Sequence, residues 1–541
     1  MAVTDKEVRS PLYRPARDLP FELVQHVGIF FEEKLYTQAL NLLLNITTTA
    51  TNPPTPVFVP SPQHLAVAAT FLVHPSTTTR AKTAEEKEAP NASLRLLRLT
   101  NTLVGPISAK FGTAFSFTHF ETSRHGRRRR PDDERSPDDD IKPLNLEMAQ
   151  SASLWSRAED FWQVVGWAFN CSVLHRERWA TWQVWLEYMC EVLEDDWNER
   201  TRRMSEDTSA KSDRQILTNS LISRYIGTAS TGYGRNRRIL RAIFADGGPT
   251  AASEFREVFH HELKKPNQHQ NTKKRENNVN INEDQYGDYL TNDESSDNDP
   301  DPTTKRPPRQ PKRPRRGTRS KDAQSNDAAD IHPPTHACTD VSSHGGFPSL
   351  ALRQRLLQLL SAVAETLPDS FVNLSDLYHL FAENIRHLSL PVFQALVAPS
   401  ALPYLSSAAR TTLCEFLLFR IRETAAPDTD EVYLSQTKLE ECFLPYAAST
   451  ASVVDNTKIS ILLETLLILL ANNDMLKVTP QLQAAVEEGI HRRAERVQTE
   501  PKKGQSARRS EDAEWSWLLE SGERLRFLVD EVLPRAEDSD E

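Results

Sequence analysis

The sequence predicts an all-α protein, an irregular helical bundle or helical-repeat stack in two blocks with a long disordered linker between them. Three observations carry that expectation. Apolar residues recur at intervals of three and four through one segment after another, without strand-like alternation. Prolines and glycines, 34 and 17 of the 541 residues, fall mainly at the ends of these segments, where turns and caps require them. Between residues 266 and 349 the composition shifts to Asn, Asp, Pro, Ser, Lys and Arg with scarcely an aliphatic side chain. Such a segment cannot offset its own conformational entropy by burial.

Residues 1–19 read as a flexible N-terminus and 20–265 as an N-terminal helical domain. Its first stretch, "LPFELVQHVGIFFEEKLYTQALNLLLNI", reads as one long helix or a helical hairpin. "NPPTPVFVPSP" follows; five prolines in eleven residues force an extended connection, and Ser61-Pro62 restarts a helix. "NASLRLLRLTNTLVGPI" gives another. Residues 121–143, where Arg127–Arg130 precede six acidic residues, read as an exposed charged loop. Four further helices are expected in "RERWATWQVWLEYMCEVLEDDW", "DRQILTNSLISRYI", "GRNRRILRAIFADG" and "TAASEFREVFHHELKK". After the 266–349 linker, 350–496 reads as a C-terminal helical domain with boundaries at Pro368, Pro391, Pro399, Pro427 and Pro480. A charged spacer (497–510), a final helix (511–533) and an acidic tail (534–541) complete the chain. The helix spacing is loosely compatible with HEAT or armadillo pairs, although no fixed repeat period or family signature is present.

The net charge of −10 is mild for this length and creates no global field for nucleic acid or an anionic membrane. Five widely spaced cysteines without a C-x-x-C pair point to a reducing compartment. The N-terminus has charges where a signal peptide needs an apolar stretch, and the greasiest run, "ISILLETLLILLANN", is interrupted by Glu464 and too short for a bilayer. No membrane partner is expected.

Seven of nine tryptophans lie between Trp155 and Trp197. Trp182, Trp185, Leu186, Met189 and Leu193 share one helix face, an aromatic stripe that reads as core. Trp179 and Trp197, at its ends, are the candidate partner-binding residues, because exposed tryptophans anchor interfaces. From Lys305 to Lys321, nine of seventeen residues are basic and none acidic. Lys312, Arg313, Arg315 and Arg316, with Lys305 and Arg306 upstream, resemble nuclear import signals of the K-[KR]-x-[KR] form, and the prolines keep the run extended. The same run loosely resembles the minor-groove arm called an AT-hook, but "RRGTR" lacks the proline after the second arginine, leaving weak, salt-sensitive phosphate contact. Arg235, Arg237, Arg238 and Arg241 form a second basic cluster, the charged face of a helix whose Ile239, Leu240 and Ile243 are expected to be buried. Thr291 and Ser296 each have an acidic residue three positions on, the pattern acidophilic kinases prefer. His332, His336, Cys338 and His344 supply four borderline ligands, but their spacing matches no zinc pattern, and neither a metal nor a cofactor is expected.

Phosphate-loop, dinucleotide, nucleophile-elbow and zinc-protease motifs are all missing. The reading is therefore a non-enzymatic helical scaffold or adaptor in the nucleus, a subunit of a multiprotein complex in a chromatin, transcription or ribosome-assembly setting. Its partners would be other proteins of that complex and importin. The alternative is a nucleic-acid-binding factor gripping phosphates through residues 235–241 and 305–321.

Overall fold

A computed structural model describes residues 13–49, 55–118, 144–206, 212–229, 234–264, 341–427, 433–498 and 508–533. The protein is mostly helical, as expected, with two helical parts on either side of the 265–340 segment. One feature was not foreseen: β1 (Ala16–Asp18) and β2 (Val57–Val59) pair in parallel. Between Pro56 and Pro60 the backbone is extended, and Val57 donates to the Pro15 carbonyl at 2.8 Å, so part of the expected connection becomes a strand.

The first stretch divides into α1 (Phe21–Glu32) and α2 (Tyr36–Thr48), and Lys34, at a left-handed φ of 61°, makes the turn between them. Ser61 caps α3 (Pro62–Phe71) by accepting from the His64 amide. A reciprocal pair between Thr83 and Glu86 opens α4 (Ala84–Val104). Two short helices follow, α5 (Phe111–Ala114) and α6 (Leu154–Arg157). Asp160 caps α7 (Phe161–Leu174), and the tryptophan-rich stretch forms α8 (Arg176–Glu206). Next come α9 (Ser212–Thr218), α10 (Leu221–Thr228), α11 (Arg235–Ile243) and α12 (Pro249–Glu254). The helix expected over residues 250–265 ends at Glu254: the backbone leaves helical geometry at Phe255 (φ −110°, ψ 83°) and turns again at His261, while Phe255, Phe259 and Glu262 remain buried.

The C-terminal part comprises α13 (Gly346–Thr366), α14 (Leu374–Ile385), α15 (Leu390–Val397), α16 (Ser407–Ile421), α17 (Gln436–Cys442), α18 (Val453–Ala471), α19 (Pro480–Gln498) and α20 (Arg508–Phe527). The sequence reading missed α15 and α19: Pro391 and Pro480, taken as boundaries, sit in their first turns, where a missing N–H is no loss.

Helix C-termini leave carbonyls without intrahelical partners and carry partial negative charge. Here buried cations from other elements answer them. Arg353 donates to the Ile243 and Ala245 carbonyls at the end of α11, Arg410 to Val397 at the end of α15 (2.8 Å), and Arg422 to Cys442 at the end of α17 (2.7 Å). Lys458 reaches the Arg386 carbonyl beyond α14 at 2.6 Å, and Arg493 holds Leu444 and Tyr446 beyond α17. Desolvation pushes Arg353 and Arg493 down to about 9 and Lys458 to about 8. Each charge is therefore retained at neutral pH.

The described residues of both parts belong to one folded unit, and buried apolar side chains run as one cluster from Leu19 to Leu533. The contact between the parts centres on α13. Arg353 lies 4.1 Å from the Phe169 ring centroid, Arg355 makes a two-pronged pair with Glu194 at 2.8 and 2.6 Å, and Ser349 Oγ donates to Ser172 Oγ at 3.3 Å.

Candidate functional site

Two of the tryptophans, Trp167 and Trp182, converge on one carboxylate. Trp162, Trp182 and Trp185 are fully buried, placed by the tight succession of α7 and α8. Trp182 and Trp167 donate their indole N–H groups to Glu262 Oε1 at 2.7 and 3.1 Å, and Arg178 Nε reaches the same oxygen at 2.7 Å. Oε2 accepts from the Phe259 amide at 3.3 Å. Arg178 uses its remaining donors on the Val73 carbonyl (2.7 Å) and Thr78 Oγ1 (2.9 Å). His74 meets Phe259 edge-on at 4.8 Å; burial first, then Arg178, holds it neutral, with its pKa lowered to about 4. A carboxylate surrounded by donors is an anchor rather than a base. It fastens residues 255–264 against α7 and α8, with His261 at a φ of 58° making the turn.

The candidate partner residues are corrected by this packing. Trp179 and Trp197 are 8% and 6% exposed, because the aromatic stripe is continuous with the core to both of its ends. The arginine cluster is largely engaged. Arg238 pairs with Asp160, Arg241 with Glu254 at 2.7 Å and Arg237 with Glu383 at 3.7 Å, while Ile239, Leu240 and Ile243 beneath them are buried as expected. Arg235 lies beside Asn236. Lys305, Arg306, Lys312, Arg313, Arg315, Arg316, Thr291, Ser296, His332, His336 and Cys338 lie outside the described residues. His344 is described; desolvation and neighbouring Arg353 lower its pKa to about 4. Among the described residues, no group of three or more His, Cys, Asp or Glu is arranged to hold a metal ion, and no helix is long and apolar enough to cross a membrane. Cys171, Cys190 and Cys414 are buried free thiols, and Cys442 is buried. Burial raises Cys190 and Cys414 to about 12, which suppresses the reactive thiolate.

Two concavities were not legible as motifs. A groove of about 490 Å³ is lined by Ile107, Arg200, Arg203, Glu206 and residues of α9 and the turn after it. Its guanidiniums already pair, Arg200 with Asp196 and Arg203 with Glu199. Burial raises the pKa of both carboxylic acids, and the arginine partners oppose the rise. A cleft of about 480 Å³ between α3, α5 and α6 presents Gln63, Thr113, Ser153, Ser156 and the Trp155 ring, chemistry suited to hydrogen bonding and stacking. Both assemble residues distant in sequence.

Compared with known proteins, the chain matches no family model and no curated protein.

Proposed function

We propose that the chain is a non-enzymatic helical scaffold or adaptor, resident in the nucleus as a subunit of a multiprotein complex in a chromatin-maintenance, transcription or ribosome-assembly setting. The observation that carries this reading is the Lys305–Lys321 run, with nine basic and no acidic residues, set between two helical parts of one folded unit. Support also comes from the buried charges, which serve helix ends and core packing: Glu262 is ringed by donors, and Arg353 and Arg410 hold carbonyls. In the nucleic-acid alternative, the engagement of Arg237, Arg238 and Arg241 shifts the grip to residues 305–321.

The test is the full-length chain with Lys312, Arg313, Arg315 and Arg316 changed to alanine, imaged in cells and recovered by affinity purification. Movement to the cytoplasm, with stoichiometric protein partners on the wild-type chain, is expected. Unchanged nuclear signal would remove the import assignment. A wild-type chain recovered alone would remove the scaffold reading. Recovery with nucleic acid that is lost steeply as salt rises would favour the alternative.

A further inference from the structure

We infer that residues 341–541 and residues 1–264 meet through a self-sufficient interface, so that the chain cut between them remains one two-chain particle in which each half is the other's binding partner.

The described residues on either side of positions 265–340 are seated on the same helix, α7. On the leaving side, Glu262 accepts from Trp167 of α7 at 3.1 Å and pairs with Arg178. On the returning side, Ser349 donates to Ser172 of α7. A side chain on Gly345 would meet Ser172 Oγ at 2.2 Å, so the returning backbone lies directly against α7. Trp167 and Ser172 are five positions apart, about 7–8 Å along a helix. The fold therefore needs no long span between its parts.

The interface itself has the composition of a core. Arg353, fully buried, crosses it to answer the end of α11 and lies over Phe169. Leu352, Leu356 and Leu359 are also buried in the shared apolar cluster. The two-pronged Arg355–Glu194 pair fixes the register at its rim, where Arg237 also lies near Glu383. Separation would return the apolar surface of this cluster to water and exchange the Arg353 bonds to the α11 carbonyls for bonds to solvent.

The consequence is a division of labour. Whatever binds, modifies or cleaves residues 265–340 acts on a connection whose loss the helical body survives. Removal of the import-like run would then leave the scaffold whole.

The test uses the full chain with a recognition site for a sequence-specific protease inserted after Asp330. After complete cleavage, we expect both fragments to co-elute in native buffer at micromolar concentration and to melt in one transition close to that of the uncut protein. The same cut protein carrying Arg353→Glu should separate into its halves, while the uncut variant stays joined through the connection, which keeps the halves at high effective concentration. Should the uncut Arg353→Glu variant fail to fold, Glu194→Arg at the interface rim serves as the second variant, with weakened co-elution after cutting. Wild-type halves that part on cleavage, or that melt in two transitions, would overturn the inference. So would halves held equally well after both substitutions.

Discussion

Glu262 shows how a single carboxylate can organise an aromatic core. Changing it to alanine leaves Arg178 charged and buried and two indole N–H groups without an acceptor, a loss of about 3–5 kcal/mol. The double change Arg178→Met with Glu262→Leu should cost less than Glu262→Ala alone, because no orphaned charge remains. Denaturant unfolding followed by tryptophan fluorescence checks both, and a Glu262→Ala midpoint equal to wild type would refute the anchor role. His64 makes a different prediction. Burial lowers its pKa from 6.5 to about 4, so above pH 6.5 the ring is neutral whether folded or unfolded. As pH falls from 6.5 towards 4, the unfolded chain takes up a proton that the buried ring refuses, and roughly 2–4 kcal/mol of stability is lost across that window. His64→Leu should flatten that slope in unfolding midpoints measured from pH 7 to 4.5, with His74 supplying part of what remains. An unchanged slope would show that the ring does not titrate as its burial requires.

At the scale of elements, two glycines with similar helical settings separate sequence from packing. In α19, a Cβ on Gly489 would lie 1.9 Å from the Leu444 carbonyl and 2.8 Å from Arg493 Nη1. In α20, a Cβ on Gly522 meets only Ile490, at 3.4 Å from Cγ2 and 3.9 Å from Cγ1. Gly489→Ala should therefore destabilise by about 2–3 kcal/mol through forced backbone shifts. Gly522→Ala should stabilise by about 0.5–1 kcal/mol through helix propensity. Thermal melts of the two variants moving in the same direction would contradict the packing. Periodicity and caps made most helices legible: Ser61 and the α8 stripe each carry a local signal. The α12 end, β2 and the Trp179 and Trp197 assignments were not legible, because tertiary packing decides them: Phe255 lies against Gly166, 89 positions away, and Val57 pairs with Ala16, 41 positions away. Nothing in its local sequence marks Glu262; its contacts with Arg178 and Trp182 distinguish it.

For the whole molecule, the sequence made the two helical parts and the compositional break visible, but not that the parts share one core, since no local pattern pairs Arg355 with Glu194 across 161 positions. The answering of helix ends by Arg353, Arg410 and Arg493 was hidden likewise, because each arginine read as an ordinary polar position on its own helix. The α13 contact also sets an order of events during synthesis. The surface around Phe169 and Ser172 is complete in the nascent chain long before α13 exists; roughly ninety residues separate Lys264 from Arg355. At about 5–20 residues per second, the ribosome leaves that surface uncovered for about 5 to 20 seconds. During that interval the apolar surface around Phe169 is open to solvent, and translation speed over codons 265–355 controls how long it stays so.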